Sequence, residues 1–129
     1  MRFMIMVEHK EGAMGPPPPE LMQAIATLGM EATQAGVMVE TGGLMPTASG
    51  ARVHVSREGK LTVTDGPFTE AKEVVGGYAV YEVETREDAL YWTNRFMQLH
   101  ADHWPGWEGT SEIRQVILAP KFDCPRLPG

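Results

Sequence analysis

Asp65-Gly-Pro-Phe-Thr-Glu-Ala-Lys-Glu-Val-Val-Gly-Gly-Tyr78 decides how the chain is read, because it sets a tight turn and a cluster of charges between two strand-like runs. Asp65, Gly66 and Pro67 are turn formers in succession. Pro67 fixes its own φ and pushes Gly66 away from the helical region, so the backbone there holds a defined shape. Asp65, Glu70, Lys72 and Glu73 then stand on a segment that is neither apolar nor low in complexity. Upstream, Ala51 to Ser56 and Lys60 to Thr64 predict a hairpin around Arg57-Glu58-Gly59. Downstream, Gly77 to Val83 alternates as a strand, and Thr85 with Asp88 resembles a capping box. The helix it opens carries Ala89, Trp92, Phe96 and Leu99 on one stripe.

Towards the N-terminus, Phe3 to His9 reads as a strand with Phe3, Ile5 and Val7 on one face and Met4, Met6 and Glu8 on the other. Pro19 can occupy a first helical position, and Leu21, Ile25, Leu28, Ala32 and Ala35 then recur at helical spacing until Gly36 stops the helix. Val37 to Glu40 predicts a second strand running into a glycine-rich turn at Gly42-Gly43-Leu44, and a last strand spans Glu112 to Leu118. Strand, helix, strands, helix, strand is the order of a ferredoxin-like α+β fold, an antiparallel sheet with two helices on one face. One domain is expected over residues 1–120, followed by a loosely ordered tail over 121–129.

The period of two assigns Phe3/Ile5/Val7, Val37/Val39, Val53/Val55, Ala79/Tyr81/Val83 and Ile113/Ile117 to the helix side. The opposite face mixes Met4, Met6, Met38, Tyr78 and Val80 with Glu8, Glu40, Arg52, His54, Glu112 and Arg114. Apolar residues beside charges suit a contact surface better than open solvent, and a homodimer closing over this face is expected.

The 129 residues carry a formal net charge of −6 with 11 scattered Lys and Arg, which argues against a nucleic-acid surface. No apolar run approaches the roughly 20 residues of a spanning helix. Met1 to Val7 gives way at once to Glu8-His9-Lys10, unlike a signal peptide, so the expectation is a cytoplasmic protein without a membrane partner. The single Cys124, in the Pro-rich tail, allows no intrachain disulfide and reads as a surface thiol.

Candidates for chemistry fall in three groups. Asp65, Glu70, Lys72 and Glu73 could hold a substrate or, for Asp65, act on it; equally, Asp65 could accept hydrogen bonds within its own turn while Lys72 and Glu73 form a solvated pair. Glu112 and Arg114 share one face with Glu8, Glu40 and His54, where an arginine fork could clamp a ligand carboxylate or pair internally. His54 is the group on that face whose ordinary pKa suits proton transfer near neutrality, and His9 at the strand end has similar standing. His100 and His103, with Asp102 between them, stand at the end of the second helix. They offer too few ligands for a clear metal site and match the helix dipole. Trp104 and Trp107 read as caps of the core or dimer edge, or as a pocket lid. No phosphate loop, nucleotide fingerprint or nucleophile elbow is present, and neither an organic cofactor nor a metal is expected.

The Asp65 to Gly77 run, with Ala35-Gly36-Val37, Gly42-Gly43-Leu44 and Glu112-Ile113-Arg114-Gln115-Val116, resembles the DGPF-domain branch of the YCII-related family. The resemblance extends from Met1 to about Pro120 and implies two sheets facing each other in a dimeric α+β barrel. It implies a small-molecule ligand and acid-base chemistry of elimination or isomerisation type, since a related enzyme removes halide from a chlorinated hydroxyquinol. Some relatives carry a histidine-aspartate pair on the first helix, but Pro19 to Gly36 contains neither residue, so that pair does not carry over. DGPF proteins are also linked to sigma factors of the extracytoplasmic-function class. The alternative expectation is thus a non-enzymatic module that contacts a transcription-regulator protein.

Overall fold

The computed structural model describes residues 1–12 and 14–118; the tail and Cys124 lie outside the described residues. The elements are β1 (Arg2–His9), α1 (Pro19–Gln34), β2 (Met38–Gly43), a 3₁₀ turn (Thr47–Ser49), β3 (Ala51–Val55), β4 (Leu61–Asp65), β5 (Val74–Glu82), α2 (Arg86–His103) and β6 (Gly109–Gln115). Strands β2, β5, β1 and β6 form, in that order, an antiparallel sheet, and β3 pairs only with β4 in a separate two-stranded sheet. Without the β3–β4 insertion, this is the ferredoxin-like arrangement that the element order predicts.

Local chemistry sets both helices. Pro19 sits in the first turn of α1, where a missing N–H is harmless, and the Pro18 carbonyl accepts from Leu21 N and Met22 N. At the other end Gly36 turns left-handed at φ 76°, with Gly36 N bonding Thr33 O and Val37 N bonding Ala32 O. Thr85 caps α2 by accepting from Asp88 N at 3.1 Å. Phe3 and Ile5 of β1, Tyr81 of β5 and Val83 just after it meet Leu28 and Ala32 of α1 and Ala89 and Trp92 of α2. Burial of each large side chain contributes roughly 1.5–3 kcal/mol, which ties both helices to one side of the sheet.

Several expected positions differ. Val53 and Val55 are 68% and 60% exposed, not core, because their hairpin leaves the main sheet. Its departure also removes Arg52 and His54 from the outer sheet face. The pairing of β2 with β5 shifts register between Met38 and Glu40, so Met38 packs against the core and Val39 faces solvent, the reverse of strict alternation. Gly42 and Gly43 continue β2 opposite Tyr78 and Gly77 instead of forming a turn. β6 begins at Gly109, opposite His9, and ends at Gln115, which leaves Ile117 94% exposed.

Candidate functional site

Helices and sheet part company where α1 begins, α2 ends and β1 reaches His9. Four glycines lie on the sheet there, Gly42 and Gly43 on β2 and Gly76 and Gly77 on β5, with Gly29 on α1. Backbone takes the place of side chains, and a cavity of about 740 Å³ opens between the layers. That is within the roughly 300–1,000 Å³ typical of small-molecule sites.

Close approach explains two of the glycines around this end. A Cβ at Gly76 would overlap the His9 imidazole, so the bare backbone of β5 lets that ring lie across it. A Cβ at Gly109 would likewise overlap the Trp107 indole. The Trp107 ring lies 4.6 Å from that of His100, which lies 4.7 Å from Phe96, and Trp104 stacks on Trp107 at 5.8 Å. Aromatic rings and glycine backbone thus share the lining of the cavity.

Three buried residues with polar groups line it: Thr93, whose hydroxyl donates to the Ala89 carbonyl at 2.8 Å, His100 and Tyr81. His100 is 7% exposed, and its Nδ1 lies 3.0 Å from the Phe96 carbonyl. A carbonyl only accepts, so Nδ1 carries the proton and Nε2 presents its lone pair. Burial lowers the His100 pKa, against the smaller opposing effect of the Phe96 carbonyl, and favours this neutral ring. Tyr81 is 3% exposed, and burial raises its pKa, which keeps the hydroxyl a donor. Neither His100 Nε2 nor the Tyr81 hydroxyl has a hydrogen-bond partner among the described residues. Among the described residues, no buried side-chain N or O atom is both sealed off and unpartnered. Both residues line the cavity, where such atoms meet solvent or ligand.

The Asp65–Tyr78 segment serves another purpose over most of its length. A Cβ at Gly66 would overlap the Thr47 carbonyl, so the turn is pressed onto the 3₁₀ turn. Thr47 Oγ1 accepts from Phe68 N at 3.2 Å, and Thr47 N donates to Glu11 at 2.8 Å. The Thr47 hydroxyl, which donates to the other Glu11 carboxylate oxygen, and then the Thr47 N–H hold the Glu11 carboxyl below its ordinary pKa. The Arg52 guanidinium lies 3.8 Å above the Phe68 ring and pairs with Glu70. The segment therefore clamps the root of the β3–β4 hairpin to the loop after β1.

Of the side chains singled out in the sequence, His9, Glu73, His100, Trp104 and Trp107 line the cavity. Glu70 is engaged with Arg52, Lys72 is exposed, and Asp65 ends β4 exposed. Glu112 and Arg114 pair with each other at 3.2 Å; they oppose Met6 and Met4 on the outer sheet face, the side to which alternation also assigns Glu8. His54 is exposed on the hairpin. These residues do not converge. The sequence marks His100 as a match to the helix dipole with too few partners for a metal, and Tyr81 for packing alone. Yet His100 continues the Phe96 stripe at i+4, and a polar ring on an apolar stripe is the signal that marks it. Among the described residues, no three His, Cys, Asp or Glu side chains gather as a metal site, and no helix is long and apolar enough to cross a membrane.

A search of curated proteins finds no match to the chain. The family model for the YCII-related domain matches residues 1–116, and the chain belongs to that family.

Proposed function

We propose that the protein binds a small molecule in the cavity between helices and sheet and moves a proton on it without an organic cofactor. The observation that carries this reading is the buried His100, with its Nε2 lone pair unpartnered at a cavity of about 740 Å³. A neutral imidazole can take a proton from a bound C–H or O–H group. His100 then gives that proton back at a second substrate atom in isomerisation, or to the departing group in elimination, and ends neutral as it began, while His9, the other histidine in the lining, can hydrogen-bond the substrate. His100 thus replaces His54 and Asp65 as the group proposed for chemistry, with His9 as a substrate contact. A homodimer closed over the outer sheet face belongs to the same proposal, supported by half-buried Met4, Met6 and Val80 on a face that, among the described residues, no helix covers.

The test uses Gly29, where a Cβ would meet nothing within 4 Å. Gly29→Phe should fill the cavity, and the loss of a helical glycine alone should add up to about 1 kcal/mol of stability. Thermal melting with a panel of hydroxylated aromatics should raise the wild-type Tm and leave that of the variant unchanged. A panel that shifts neither protein, or both equally, would overturn the cavity as binding site.

A further inference from the structure

We infer that the cavity takes a flat, uncharged, conjugated molecule that presents an N–H or O–H donor to His100 Nε2. This class of ligand rests on the cavity being the binding site and narrows what can occupy it. Three independent features lead there.

The first is the tautomer. Because His100 Nδ1 is committed to the Phe96 carbonyl, Nε2 can only accept while the ring is neutral. A carboxylate also only accepts, and could face Nε2 only if the ring gained a second proton, the charged form that burial disfavours. A donor on the ligand meets the ring as it stands.

The second is charge. The lining carries Lys10 against Glu73 and Glu108, one positive side chain and two negative, besides His9 and His100. Its formal balance is −1 with both histidines neutral, which disfavours an anion.

The third is shape. Backbone at Gly42, Gly43, Gly76 and Gly77 and the Phe96, His100 and Trp107 rings line the same cavity, and the Trp104 and Trp107 planes lie within 15° of each other. A lining of bare peptide groups and π-faces favours a planar ligand that stacks over a bulky aliphatic one.

Calorimetry and tryptophan quenching with three ring-matched probes test the inference. These are 2-naphthol, 2-methoxynaphthalene, which keeps the ring but donates nothing, and the anion 2-naphthoate. In the wild type, 2-naphthol should bind about tenfold tighter than the ether, the scale of one hydrogen bond in a dry site. The anion should bind weakest. His100→Phe should abolish the preference for naphthol while still binding the ether, and His100→Gln, which restores an acceptor, should recover part of it. Equal binding of naphthol and ether would overturn the inferred donor and leave the cavity reading standing. Tightest binding by the anion would do the same. If no probe bound, both would fall.

Discussion

At the scale of single residues, His100 is the group through which burial becomes measurable. Its folded pKa lies below the ordinary histidine value of about 6.5, so between the two values the unfolded chain binds the proton more readily than the fold does. Stability is therefore complete above about pH 6.5 and falls with pH until the lowered folded value is passed, below which this residue changes nothing further. His100→Gln removes that dependence. Melting of both proteins between pH 7.5 and 4.5 should give curves that diverge on the acid side, with the wild type losing more Tm. Parallel curves would mean that His100 is not buried neutral. The sequence shows His100 at the end of an apolar stripe, but not that Nδ1 turns back to the Phe96 carbonyl, since this depends on how Trp107 packs after the helix has ended. His9 was more legible, because the end of a strand opens onto a cleft wherever the helix opposite begins or stops.

At the scale of elements, strand and helix order was readable from periodicity, whereas the place of the hairpin was not. β3 alternates as well as β1 does, and Val53 and Val55 read as core residues until, among the described residues, β3 and β4 are seen to pair only with each other. Alternation specifies a face, not what covers it. The Asp65–Tyr78 segment misled for a related reason. Its charges suggest chemistry, yet Glu70 neutralises an arginine stacked on Phe68, and Gly66 is there because a backbone carbonyl presses on it. Gly66→Ala should consequently disrupt an element before it disrupts a site. The neighbour is main chain and cannot rotate away, so the penalty should reach the upper part of the roughly 1–3 kcal/mol seen for overpacking. Hydrogen exchange should show the β3–β4 amides losing protection while those of β1 and β5 keep theirs. Unchanged protection in the hairpin would refute the clamp.

At the scale of the whole molecule, the two sides of the sheet perform different tasks. The helix side supplies the core at one end and the cavity at the other, so well-packed Phe3, Ile5 and Ala89 secure the fold while glycines forgo packing at the mouth. Among the described residues, the outer side has no helix. Arg2 pairs with Glu82 and Arg114 with Glu112 around Met4, Met6 and Val80, giving an apolar centre with a charged rim, the pattern of a protein interface. If two copies meet there, Val80 lies near the middle of the contact, because it opposes Met4 on one side and Glu40 on the other. Val80→Lys would then bring two like charges into a desolvated centre, weakening association by tenfold to a hundredfold or about 1.4–2.8 kcal/mol. The folded subunit should change little, because a lysine can extend its stem across the sheet and hold its charge in water. Sedimentation should find a wild-type dimer that the variant dissociates, and calorimetry on the separated subunits should then measure 2-naphthol binding. Undiminished binding would place the whole site within one subunit, as the cavity residues do here; a wild type that sediments as a single subunit at high concentration would remove the outer face from the account of function.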